Sequence, residues 1–127
     1  MLADKNAGAT LAVTDLARAR DFYENTLGLE AIDENPGGVL YRSGGSVVLV
    51  YPSEFAGTNK ATAAGWAVGD DLDAIVEELR AKGVTFEHYD DLPDTTRDGD
   101  IHTTGGFKAV WFKDPDGNIL NLTSMST

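Results

Sequence analysis

The spacing of apolar positions switches between strand and helix periods along this chain, and the switches mark its elements. Residues 9–14, ATLAVT, are short, apolar and β-branched, as a buried strand is. Asp15 then offers a helix N-cap, and Leu16, Ala19, Phe22 or Tyr23, and Leu27 recur at helical spacing. Gly28 is placed to end that helix in a left-handed conformation. Strand-like segments follow at 29–33, 39–42 and 46–51, separated by the turn residues Pro36-Gly37-Gly38 and Gly44-Gly45.

After a linker at 52–62 the pattern restarts. Residues 63–68 read as a strand, and Asp70 or Asp71 as a cap. Leu72, Ile75, Val76 and Leu79 form a helical stripe that ends at Gly83. Residues 84–89 read as a strand and 90–104 as a polar loop. Residues 108–113 and 119–123 form a hairpin around Asp114-Pro115-Asp116-Gly117, where Pro115 presets the first turn dihedral and Gly117 accepts positive φ. The glycine-ended helices stand about 55 residues apart, which marks an internal duplication. One such half would leave a sheet face uncovered. The predicted fold is therefore α+β: two βαβββ modules, about 7–52 and 62–124, within a single domain spanning 1–127. Together they form an eight-stranded, U-shaped open mixed sheet with the helices outside and a cavity inside.

Composition narrows the function. The chain has 127 residues, a net charge of -11 and no cysteine. Disulfides, thiolate chemistry and cysteine-held metals are excluded. The negative charge disfavours nucleic acid and anionic membranes as partners. The N-terminus lacks a signal-peptide pattern, and no apolar stretch approaches the roughly 20 residues that span a bilayer. A cytoplasmic location is expected.

The duplicated βαβββ pattern resembles the vicinal oxygen chelate superfamily, which includes glyoxalase I, extradiol dioxygenases, fosfomycin-resistance enzymes and bleomycin-binding proteins. The local marks are Val13-Thr14-Asp15-Leu16, Phe22-Tyr23, Leu27-Gly28-Leu29 and Phe112-Lys113-Asp114-Pro115-Asp116-Gly117-Asn118. The resemblance runs from about Ala9 to Thr123 and implies a homodimer. It also implies where a metal would be held in the superfamily's enzymes. The matching positions here are Gly8, Leu49, Ala63 and Asn121. Three have no donor atom and the fourth has a neutral amide, so neither metal nor other cofactor is expected.

Strand alternation predicts what faces the cavity. If Asn121 points inward, so do Ile119 and Thr123; if Leu49 does, so do Val47 and Tyr51. Ala109 and Trp111 then face the cavity, while Val110 and Phe112 face the helix layer. Trp66 falls on the alternate face, buried under the second helix. The expected ligand-binding residues are Tyr41, Leu49, Tyr51, Trp111 and Asn121, a lining suited to a small hydrophobic or aromatic molecule. Read structurally, these aromatics fill a core and Asn121 hydrogen-bonds a neighbouring strand or a bound water. His88 and His102 are the only histidines. Both suit surface or loop-anchoring roles, and His102 is the candidate catalytic group at the cavity mouth. Two functions remain open: a metal-free binding module, or a divergent lyase, isomerase or dioxygenase.

Overall fold

The computed structural model describes residues 1–125. The chain divides into two compact units, Met1–Asn59 with Pro115–Asn118, and Lys60–Asp114 with the chain from Ile119 onward. In the first unit, β1 (Ala9–Val13) leads into α1 (Leu16–Arg20), followed by β2 (Glu30–Asn35), β3 (Gly38–Ser43) and β4 (Ser46–Pro52). The sheet order is β1-β4-β3-β2, with β1 and β4 parallel and the other pairs antiparallel. Asp15 caps α1, its carboxylate accepting from the Arg18 N–H at 3.2 Å. The helix widens into a π-helical stretch at Asp21–Thr26, where the Leu27 N–H donates to the Phe22 carbonyl at 2.9 Å. Ala19 and Tyr23 are buried on this helix. Leu11, Val13, Val39, Tyr41, Val48 and Val50 are buried on the strands.

The second unit repeats this wiring. β5 (Thr62–Ala67) runs parallel to β10 (Ile119–Thr123), which pairs antiparallel with β9 (Phe107–Lys113), which pairs with β6 (Phe86–Glu87). α2 (Leu72–Ala81) buries Leu72, Val76 and Leu79, the stripe expected from the sequence, while Ile75 is half-buried. The fold class is thus α+β with open sheets, and all eight expected strands are present. Gly28, Gly83 and Gly117 take the positive φ expected of them, +74°, +90° and +91°.

Three local expectations are corrected. The polar loop at 90–104 contains a hairpin, β7 (Thr95–Asp98) and β8 (Ile101–Thr104), which joins the free end of β9. The strand expected at 84–89 shrinks to β6, because β6 and β8 share one edge of β9. The missed signal was local: β-branched Thr95, Thr96, Ile101, Thr103 and Thr104 flank a turn containing Asp98-Gly99. At α2, a 3₁₀ turn (Gly69–Asp71) precedes the helix, and Asp71 occupies the cap position without a side-chain hydrogen bond. Its backbone is already helical (φ -82°, ψ 0°), whereas a capping side chain reaches the first-turn amides from an extended residue.

The Asp-Pro-Asp-Gly turn joins β9 and β10 of the second unit as expected, and Pro115–Asn118 pack in the first unit. Asp116 Oδ1 accepts from the Thr14 N–H (3.2 Å), the Thr14 hydroxyl (2.6 Å) and Arg18 Nη2 (3.1 Å). Asn118 Nδ2 donates to the Ala12 carbonyl at 2.7 Å. The loop after β4 closes on the same turn. Gly57 there has φ +71°, and a Cβ at that position would lie 1.8 Å from the Asp116 carbonyl oxygen.

Gly57→Ala should therefore cost about 2–4 kcal/mol, from left-handed strain plus a backbone clash. Gly44 has φ +57° but no atom within 4 Å of a built Cβ. Gly44→Ala should cost only about 1 kcal/mol. Urea unfolding of the two variants measures the difference. Equal losses would mean the loop does not hold Gly57 against Asp116.

Candidate functional site

Strand register assigns each side chain in the second unit to a face. Val110, Phe112, Leu120 and Leu122 are buried. The rings of Phe112 and Phe86 meet edge to face at 5.9 Å, and Arg80 of α2 lies 5.9 Å over Phe86. That side of the sheet is the helix side. Trp111 pairs with Asn121, and Ala109 with His102, so these four residues share the opposite face. Trp66 pairs with Leu122, which places it on the helix side as expected, but it is half-buried instead of covered. It stands on β5, the edge strand of its sheet, where neighbours flank it on one side only.

The open face carries an aromatic cluster. His102 meets Trp111 edge to face at 4.9 Å, Tyr89 meets Trp111 edge to face at 5.4 Å, and Tyr89 lies 6.1 Å from His102. Trp111 Nε1 donates to the Thr62 hydroxyl at 3.1 Å, which fixes the orientation of the indole. Tyr89 was absent from the sequence-based site. The alternation that sends Phe86 to the helix side sends Glu87, opposite Trp111, to this one, and that was the available signal.

Asn121 stands beside this cluster, directly over Gly65. A Cβ on Gly65 would lie 2.0 Å from Asn121 Oδ1, so the glycine makes room for the amide. Among the described residues no hydrogen bond is made to the Asn121 side chain.

The duplicated wiring gives the four superfamily metal positions a common frame. Thr10 pairs with Leu49 in the first unit, and Gly65 with Asn121 in the second. Gly8 and Ala63 each stand two residues before the first member of these pairs. Each unit thus presents an equivalent pair of positions, and neither pair carries an anionic or imidazole donor. Among the described residues no group of three or more His, Asp or Glu side chains could hold a metal ion. The residues present do not fit a metal centre.

In the first unit, Leu49 and Tyr51 are half-buried and lie on the face opposite buried Val48 and Val50. Tyr41 is corrected. It pairs with Val48, on the helix side, and is fully buried. Its hydroxyl donates to Glu24 Oε2 at 2.8 Å, and its ring lies 6.1 Å from that of Tyr23. The Arg20 guanidinium donates to the same carboxylate at 2.7 Å and holds Glu24 below its usual range. Burial, then the Glu24 carboxylate, pushes the Tyr41 phenol up. Tyr41 is a core residue.

The two histidines separate. His88 is exposed, with Nε2 2.8 Å from Asp100 Oδ1. Arg80 and then His88 hold Asp100 below its ordinary value. His102 is not a loop residue at a cavity mouth. It lies on β8, is 1% exposed, and its Nε2 accepts from the Tyr89 N–H at 3.0 Å. Burial holds its pKa below the ordinary 6.5. A ring this enclosed, with its basic nitrogen already bonded to the main chain, is poorly placed to take a proton from a substrate.

Residues 7–122 match the model of the glyoxalase/bleomycin resistance protein/dioxygenase superfamily. The chain belongs to this superfamily. No curated protein matches the sequence. Solved structures share its fold. A glyoxalase/bleomycin resistance protein/dioxygenase from Alicyclobacillus acidocaldarius is 18% identical, with a TM-score of 0.70 over 94% of this chain and 90% of its own. A lactoylglutathione lyase from Agrobacterium tumefaciens is 21% identical, with a TM-score of 0.69 over 94% and 92%. The antibiotic binding protein TnmS3 from Streptomyces sp. CB03234 is 22% identical, with a TM-score of 0.65 over 99% of each chain. The superfamily scaffold thus carries both catalysts and binders, and the site residues must decide between them.

Tyr41→Phe tests the division of faces. Loss of the bond to Glu24 should lower stability by about 1 kcal/mol. Ligand affinity should not change, because the hydroxyl points into the helix-side core. A several-fold loss of affinity without loss of stability would return Tyr41 to the site.

Proposed function

We propose that this superfamily member is a metal-independent binding protein for a small, flat hydrophobic or aromatic molecule. The observation that carries the reading is the Asn121 amide, seated over Gly65 beside the Trp111 indole and without a hydrogen bond among the described residues. The indole offers a stacking surface and the amide a directional donor and acceptor. The donor-poor positions Gly8, Leu49, Ala63 and Asn121 support binding without a metal. The enclosed state of His102 argues against proton-transfer chemistry. The antibiotic-binding relative supports the same use of the scaffold. No helix among the described residues is long and apolar enough to cross a membrane, and the proposed setting is the cytoplasm. A homodimer is proposed as well, because β1 and β2 end one sheet and β5 and β7 the other, leaving strand edges open to pairing.

Native mass spectrometry of the purified protein reads metal, retained ligand and oligomer together. The expected species is a metal-free dimer. Stoichiometric Ni, Zn, Fe or Mn would overturn the metal-free reading and point to a lyase, isomerase or dioxygenase. With an aromatic probe such as 1-naphthol, binding should quench indole fluorescence. Trp111→Ala should weaken it by about three- to tenfold, the worth of one aromatic stacking contact. Asn121→Leu should weaken it about fivefold through the lost hydrogen bond. Unchanged affinity in both variants would remove the site.

A further inference from the structure

His102 reaches the ligand face through other residues. Its Nε2 accepts from the Tyr89 N–H, so the neutral ring carries its proton on Nδ1. Nδ1 is buried, and the backbone groups of Ala109 and Asp100 near the ring favour its protonated form. One ring edge packs on Trp111 and the ring lies against Tyr89. The hairpin that brings His102 here, β7 with β8, has no counterpart in the first unit.

We propose that His102 is a positioning residue: its neutral ring holds Tyr89 and Trp111 in the arrangement that receives the ligand, and protonation of Nε2 releases that arrangement. This rests on the aromatic-ligand reading above. A proton on Nε2 would face the Tyr89 N–H, donor against donor, and the bond that fixes Tyr89 would be lost. Burial is the main cause that opposes charging of the ring; backbone hydrogen bonding to Ala109 and Asp100 partly offsets it, and the nearby positive charges add to the opposition. Arg97 of β7 pairs directly across from His102, and His88 adds a second nearby positive charge when protonated. The nearby carboxylates are already engaged: Asp90 by Arg97 at 2.6 Å, and Asp100 by Arg80 at 2.7 Å and by His88. Tyr89 is a neutral phenol that burial pushes further up, and Trp111 does not ionise.

The sign follows from these constraints. The folded ring binds its proton at lower pH than the ordinary 6.5 of an unfolded histidine. Between those values the unfolded chain binds more protons, so stability falls as pH falls through that window. Ligand affinity falls at the lower end, where the folded ring itself charges.

The test compares wild type with His102→Gln and His102→Leu from pH 8 to pH 5, reading the Tyr89 amide and Trp111 indole N–H resonances and the affinity for 1-naphthol. In wild type the two resonances should move on one titration curve centred below 6.5, and affinity should drop about fivefold across it. Gln can accept from the Tyr89 N–H but cannot charge, so its affinity should be flat with pH and higher than that of His102→Leu. If the resonances stay still while His102 titrates, or if His102→Gln keeps the acid loss, the proposal fails. If 1-naphthol does not bind wild type at pH 8 but the resonances titrate together, the ligand reading fails and the His102 lock stands.

Discussion

A single carboxylate oxygen, Asp116 Oδ1, gathers the hydrogen bonds on which the first unit depends. It accepts from the Thr14 N–H, the Thr14 hydroxyl and Arg18. The Asp116 side chain is only 4% exposed, so its charge must be met by donors and not by water. Charge-assisted bonds of this kind each contribute about 1.5–3 kcal/mol, and losing a donor would leave a buried anion short of partners. Asn118 adds a bond to the Ala12 carbonyl, and the loop at Gly57 closes over the same turn. Two motifs about a hundred residues apart, Val13-Thr14-Asp15-Leu16 and Asp114-Pro115-Asp116-Gly117-Asn118, are therefore one bonded device. Their polar residues serve architecture. That is the physical reason these marks identify the superfamily and say nothing about its chemistry.

With the turn held there, strand alternation does the rest. A shift of one residue in β9 would exchange Val110 and Phe112 with Trp111, moving an indole under α2 and two apolar side chains to the open face. The buried pair Phe86 and Phe112 fixes the register against that slip. The same alternation in the first unit sends Val48 and Val50 to the helix and Leu49 and Tyr51 away from it. Each sheet therefore keeps a sealed face for stability and an open face on which substitutions cost little. The positions where the resemblance would place a metal, Gly8, Leu49, Ala63 and Asn121, are not among the buried core residues.

What could be read in the sequence was what local chemistry sets: the Asp15 cap, the glycine-ended helices, the duplication, and the faces of Trp111, Val110 and Phe112. What escaped it depended on partners distant in the chain. Tyr41 was placed with the ligand-binding set on its residue type alone, without a pairing partner. Its opposition to Val48 and its bond to Glu24 are tertiary facts. His102 was read as a loop residue because Asp90, Asp91, Asp94, Arg97, Asp98 and Asp100 make the surrounding segment polar. The free edge of β9 took up that segment as a hairpin, and its local signal, β-branched residues flanking Asp98-Gly99, was masked by the charged composition. Trp66 followed its period but not its expected burial, because an edge strand offers half the neighbours of a central one.

The pairing of Asn121 with Gly65 sets what the open face can do. A glycine in a strand interior gives up side-chain packing and costs backbone entropy, so it is retained where another group needs the space. Here that group is an amide. An amide can donate and accept but holds no charge at any physiological pH and binds transition metals weakly. It discriminates between ligands by hydrogen-bond geometry, and it contributes little to stabilising an anion or moving a proton. Beside it stand an indole whose N–H is already bonded to Thr62 and a histidine whose basic nitrogen is bonded to the main chain. The His102 imidazole, the basic group nearest the indole, is committed to holding the Tyr89 main chain, while Glu87, opposite Trp111, pairs with Lys113 at 3.3 Å. The indole and the amide bring stacking and neutral hydrogen bonding to this face, the capacities on which the proposed binding role draws.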